Sequence, residues 1–138
     1  MKLTTALQLA GLLHLGLLCA GVTMPRAVNL REHLTPLPPF IRRLFWVYYV
    51  FLGLVLVGFG LITFGFADTL ALRTPLARAF CLLCAVFWGG RLLVAGFVFD
   101  VRPYLKSSLL HLGYHATNLT FIYLLAVYAL AAWRGGSP

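Results

Sequence analysis

Charged residues are scarce in this sequence, and acidic residues are the scarcest of them. Only 10% of the 138 residues are charged and just three are acidic, whereas a soluble domain carries about 25% charged residues. Hydrophobic residues make up 62% of the chain, and its mean hydropathy is +0.93. A small soluble domain has too much surface for its volume to bury that much apolar area. The composition therefore excludes a soluble globular protein and predicts an integral membrane protein.

The sequence also lacks a long basic tract, although it holds eleven Lys and Arg and a net charge of +8. These residues lie between the apolar runs, where basic side chains orient a chain in the bilayer and meet lipid headgroups. A nucleic-acid-binding arm would need a block of like charges. We therefore expect the lipid bilayer as a partner, and no nucleic acid.

Four apolar segments are long enough to cross a bilayer, which takes about 20 residues per helix. They cover residues 3–22, 44–67, 79–99 and 109–133. The first exceeds the apolar run of about 7–15 residues in a signal peptide, so we interpret it as a retained span. The later connectors are short, which favours antiparallel neighbours. The prediction is an all-α membrane protein. Its single domain, residues 1–138, has four transmembrane helices in an up-down bundle, with a short interfacial segment between helices 1 and 2.

Four spans place both termini on one side of the membrane, here named side A, and the first and third connectors on the other, side B. Six Lys and Arg lie on side B and four on side A. Because positive charge marks the cytoplasmic side, we expect cytoplasmic connectors and outside termini in a bacterial inner membrane. Aromatic residues near the span ends predict a belt on each side, with Tyr128 and Trp133 on side A.

Ionisable residues inside a span are costly and usually face the interior of a bundle. Arg91 is predicted to be such a buried arginine, and no carboxylate lies at its depth. A helix rises about 1.5 Å per residue, and by this count His14, Arg91 and His115 lie at similar depths in the half of the bilayer near side B. On the last helix, the i, i+4, i+7 spacing places Asn118 on the same face as His115. The predicted ligand pocket has six members: Arg91, His115, His14, Asn118, Tyr114 and Trp88.

This pocket predicts a non-enzymatic accessory subunit or a module that binds a lipid-like or anionic ligand. Arg91 would be satisfied within the bundle, by Asn118, Tyr114, backbone carbonyls or water, or by a ligand, a protein partner or a second copy of the chain. The alternative is a redox protein that binds b-type haem or quinone through the same residues, with His14 and His115 as axial haem ligands. A transporter protomer is a further alternative, which the absence of an internal repeat disfavours. We predict no catalytic residue and no metal site apart from the haem alternative.

Two of the three cysteines, Cys81 and Cys84, have the C-x-x-C spacing of redox motifs. Both lie inside a predicted span, and the two residues between them are leucines. Small buried thiols that act as apolar packing residues are the favoured interpretation.

Overall fold

The computed structural model describes residues 2–72, 74–98 and 106–134, with only the backbone of the last residue. These residues form helices and no strand. The helices are α1 (Leu3–Ala27), α2 (Leu30–Leu34), α3 (Pro39–Gly65), α4 (Ala67–Leu70), α5 (Pro75–Phe97) and α6 (Ser108–Arg134). Most of the third connector, including Arg102, lies outside the described residues.

Four of the helices, α1, α3, α5 and α6, are long and apolar enough to span a membrane. They hold 23 to 27 residues each, which is about 35–40 Å of helix, and the hydrocarbon core is about 30 Å thick. The prediction of four helices long and apolar enough to cross a bilayer is therefore confirmed, as expected for an integral membrane protein.

Local signals fix where the spans begin. Pro39 and Pro75 each open a helix, where a missing backbone N–H costs nothing. Before α5, the Thr74 hydroxyl accepts a hydrogen bond from the Ala77 N–H at 3.2 Å. Before α6, the Ser107 hydroxyl accepts one from the Leu110 N–H at 3.3 Å. Such caps satisfy donors that have no partner in the first helical turn.

The first span extends beyond its predicted end at Val22. Helix α1 continues to Ala27 and contains Pro25. The Thr23 hydroxyl donates to the carbonyls of the preceding turn, which satisfies this polar group within the helix. The chain then turns at Asn29, whose φ of 50° lies in the left-handed region and which precedes the five-residue helix α2. A position of α2 in the membrane interface remains a prediction.

The long helices form two antiparallel pairs, α1 with α3 and α5 with α6. In the first pair Gly11 lies against Phe64, so closely that an added Cβ would be 2.7 Å from the Phe64 Cβ. At the other end of that pair the Tyr49 hydroxyl donates to the Gly21 carbonyl. Small residues permit this kind of close helix approach in membranes. In the second pair the Arg78 Nε–H donates to the Ala132 carbonyl at 3.3 Å.

Contacts between α1 and α6 join the two pairs. The His14 ring lies 6.1 Å from the Tyr128 ring, and the Tyr123 hydroxyl donates to the Ala6 carbonyl at 3.0 Å. Side chains of the second half of α6 thus reach the first half of α1. The up-down arrangement remains a prediction.

Burial is concentrated at one end of the helices. The closed core, as we name it, consists of the buried apolar cluster formed by the first half of α1, α4, the first part of α5 and the second half of α6, together with the buried residues beside it on α1 and the last part of α3, Gly11, His14, Gly60 and Thr63. Within the described residues, burial in α5 stops at Trp88 and burial in α6 starts at Phe121. We name residues 89–98 and 108–120 the open segments, because they contain no buried residue.

Candidate functional site

His14 lies inside the closed core, with 1% of its surface exposed. Its Nδ1 is 2.7 Å from the Ala10 carbonyl oxygen. Because a carbonyl can only accept, Nδ1 carries the proton and Nε2 of the neutral ring is left as an acceptor. That Nε2 has no hydrogen-bond partner among the described residues. The ring is surrounded by other rings, those of Phe59, Trp88 and Tyr128 at centroid distances of 6.4, 5.2 and 6.1 Å.

Trp88 is the neighbour of His14 in this ring cluster and is 2% exposed. It packs edge-to-face on His14 and stacks on Phe121 at 5.4 Å with 27° between the ring planes. Its indole Nε1 likewise has no partner in the described part of the chain. The structure thus brings together two of the six predicted pocket residues in a packed aromatic environment.

A second polar pair in the closed core was not predicted from the sequence. The hydroxyl oxygens of Thr63 and Tyr128 are 2.5 Å apart, and both side chains are fully buried. Cys84, on α5, is also fully buried. The aromatic-belt position expected for Tyr128 is therefore wrong, because its hydroxyl is satisfied inside the core. Trp133 by contrast is 81% exposed.

Arg91 lies in the open segment of α5 and is exposed on the single chain. Its Cζ is 5.9 Å from the centre of the Phe121 ring, within the range of a cation–π contact. The structure does not show the buried arginine that was predicted, because the closed core ends one turn before it, at Trp88. The Phe121 ring therefore contacts both Arg91 and Trp88, because it also stacks on Trp88.

The remaining predicted residues lie on the open segment of α6. His115 is exposed, and Tyr114 and Asn118 are half-buried. The Tyr114 and His115 rings are 5.5 Å apart. Thr117 and Thr120 on the same segment donate their hydroxyl hydrogens to carbonyls of the preceding turn, at 2.8 Å each. These hydroxyls are satisfied within α6, whereas the imidazole of His115 points away from any core.

The six predicted residues therefore fall into two groups, one in the closed core and one on the open segments. His14 contacts Tyr128, which follows His115 by 13 residues, or about 20 Å along the helix axis. No contact among the described residues joins His14 to His115, and their pairing as axial haem ligands remains a prediction. A ligand pocket that contains all six residues remains a prediction.

The chain matches no protein-family model, no curated protein and no solved structure.

Proposed function

We propose that this chain is a non-enzymatic accessory subunit of a membrane assembly. Its binding surface is the polar face of the open segments, which carries Arg91, Tyr114, His115 and Asn118. The group bound there accepts hydrogen bonds: a carboxylate or an exposed carbonyl on a helix of the partner protein. The observation that carries this proposal is the exposure of Arg91 within a membrane span.

An exposed arginine in a span calls for a partner, because a charge facing lipid is costly. Arg91 is six residues before the end of α5 at Phe97, or about 9 Å along the axis. Snorkelling to that nearer end is hindered, because Cα–Cβ bonds tilt toward the N-terminus of a helix. The guanidinium therefore leans toward the middle of the span, where water is scarce.

Few carboxylates within the chain could neutralise Arg91. The chain has three acidic residues, of which the structure describes Glu32 and Asp68. Asp68 lies on α4, just before the start of α5, and Arg91 is 16 residues beyond Pro75, or about 24 Å along α5. Glu32 is exposed on α2. The contact with Phe121 holds the guanidinium in place but leaves its N–H donors available, which supports an acceptor from another molecule.

The proposed orientation in the membrane follows the charge of the first connector. Arg26, Arg31, Arg42 and Arg43 lie there against one acidic residue, Glu32, and such an excess of basic residues is typical of the cytoplasmic side. We propose cytoplasmic first and third connectors and outside termini, in a bacterial inner membrane. The proposal does not use the redox alternative, because no contact in the described part of the chain joins His14 to His115.

Site-specific photo-crosslinking in native membranes tests the accessory-subunit proposal. A photo-reactive residue replaces His115, and a control replaces Leu130, which is 47% exposed on the same helix beside the closed core. We expect a protein crosslink from position 115 that falls about tenfold in Arg91→Met, survives in part in Arg91→Lys and is unchanged in Arg43→Met. Crosslinks to lipid alone, or equal crosslinks from both positions, would contradict the proposal.

A further inference from the structure

A groove at the side-B end of the molecule has a composition suited to phosphate binding. It lies between α2 and the beginning of α3 and has a volume of about 240 Å³. A single water needs only about 10–15 Å³ of such space, so the groove admits a group of several heavy atoms. Its lining consists of Arg31, Leu34, Thr35, Arg42 and Trp46.

The walls of the groove are held by local hydrogen bonds and packing. Leu34 is buried, with 6% exposure, and anchors α2. The Thr35 hydroxyl donates to the Arg31 carbonyl at 2.8 Å. On the opposite wall, Trp46 packs edge-to-face on Tyr49 with the ring centres 5.8 Å apart, and Tyr49 is tied to α1 through the Gly21 carbonyl. The groove is thus formed by ordered elements of the fold.

Arg42 supplies the most specific feature of the groove. One end of its guanidinium is fixed, because Nη2 donates to the Leu37 carbonyl at 3.3 Å. Its Nε–H is buried and has no partner within the described part of the chain. An unsatisfied buried donor on a charged group is costly, and an oxyanion bound in the groove would satisfy it. Arg31 supplies a second guanidinium, and paired guanidinium donors match the geometry of phosphate oxygens.

The position of the groove indicates which kind of phosphate it would meet. Helix α3 has 27 residues, or about 40 Å, which exceeds the hydrocarbon thickness of about 30 Å. Its first turns, with Arg42, therefore extend into the headgroup region. Trp46, one turn further along, is a residue type enriched at that depth. Free phosphate shares the chemistry, but a lipid phosphate is present at this depth at all times.

We propose that the groove between α2 and α3 binds the phosphate of an anionic phospholipid through Arg31 and Arg42, with Trp46 against the glycerol region of the lipid. This site is separate from the proposed partner surface around Arg91 and does not depend on it. Its effect is to fix the first connector against one leaflet.

Native mass spectrometry of the purified full chain in mild detergent tests this lipid site. The probes are dihexanoylphosphatidylglycerol, dihexanoylphosphatidylcholine and inorganic phosphate. The double variant Arg31→Gln/Arg42→Gln removes the groove cations, and the matched control Arg26→Gln/Arg43→Gln removes two exposed arginines of the same connector that do not line the groove. We expect phosphatidylglycerol to bind most tightly, to lose at least about tenfold in affinity in the groove variant, and to lose less than about threefold in the control.

Three results would overturn the proposal. Equal losses in both double variants would show attraction to the overall positive charge. Phosphatidylcholine bound as tightly as phosphatidylglycerol would remove the preference for anionic lipid. Inorganic phosphate bound as tightly would indicate a soluble ligand. If circular dichroism shows that the groove variant does not fold, the single variant Arg31→Gln and the charge-conserving Arg42→Lys replace it. The rise in Tm of the unaltered chain with phosphatidylglycerol, against phosphatidylcholine, then decides the question.

Discussion

The open segments extend α5 and α6 beyond the closed core, and the polar groups of the two regions have different surroundings. In the closed core the hydroxyls of Thr63 and Tyr128 satisfy each other. Among the described residues of this core, the buried side-chain nitrogens without partners belong to His14 and Trp88. On the open segments Arg91 and His115 are exposed. Polar groups that are paired in the core specify how the helices pack. Exposed polar groups in a span require a hydrogen-bonding partner from outside the chain.

The comparison also explains why α5 and α6 stay together although half of each is open. Trp88 stacks on Phe121 at the boundary, and Arg78 donates to the Ala132 carbonyl at the far end. These contacts hold the two helices in register through the closed core. The open segments can therefore present polar side chains beyond the closed core.

The largest expected effect comes from the closest helix contact of the closed core. In Gly11→Ala the new Cβ would lie 2.7 Å from the Phe64 Cβ and 2.8 Å from the Phe64 backbone nitrogen. The backbone cannot move aside as a flexible side chain could, so α1 and α3 must separate. We expect a loss of about 1–3 kcal/mol in the free energy of unfolding, measured by reversible denaturation in mixed micelles.

Gly16→Ala is the matched control for this prediction. Gly16 is five residues further along α1, and nothing lies within 4 Å of an added Cβ there. The same chemical change should leave the stability unchanged or slightly raised, because alanine has the higher helix propensity. Equal losses in the two variants would show that the α1–α3 contact is not tight.

A smaller effect is expected from the hydroxyl pair of the closed core. Tyr128→Phe leaves the Thr63 hydroxyl buried without that partner, which should cost about 1–2 kcal/mol of unfolding free energy. Thr63→Val should cost a similar amount, and the double variant should cost less than the sum of the two. Denaturation of all four chains gives the coupling energy. Strict additivity would contradict the hydrogen bond.

The spans were predictable from the sequence because membrane thickness fixes the length of an apolar run, and the four runs correspond to α1, α3, α5 and α6. It was harder to predict which face of each helix lies against the core. Tyr128 has an aromatic ring near a span end, and only its placement against Thr63 on another helix shows that it is a core residue. Thr63 gives a weak signal, as a lone hydroxyl in an apolar run.

The members of the predicted pocket were hard to place from the sequence for the same reason. The depth of a residue along its helix can be counted from the sequence, but the sequence does not show which helices contact each other or at which residues. His14 and Trp88 meet because α1 and α5 both contribute to the closed core. Arg91 and His115 lie beyond the point where burial ends. The groove of Arg31 and Arg42 could not be predicted, because it depends on how α2 folds back beside the first turns of α3.

Thiol labelling tests most directly whether the open segments are covered by a partner. The variant His115→Cys is combined with serine at Cys19, and native Cys84, which is fully buried, is the internal control. In the detergent-purified single chain, position 115 should react rapidly with a small maleimide, and Cys84 should react only on unfolding. In native membranes position 115 should become protected, and Arg91→Met should remove that protection. Equal labelling of position 115 in membranes whether or not Arg91 is present would contradict the account.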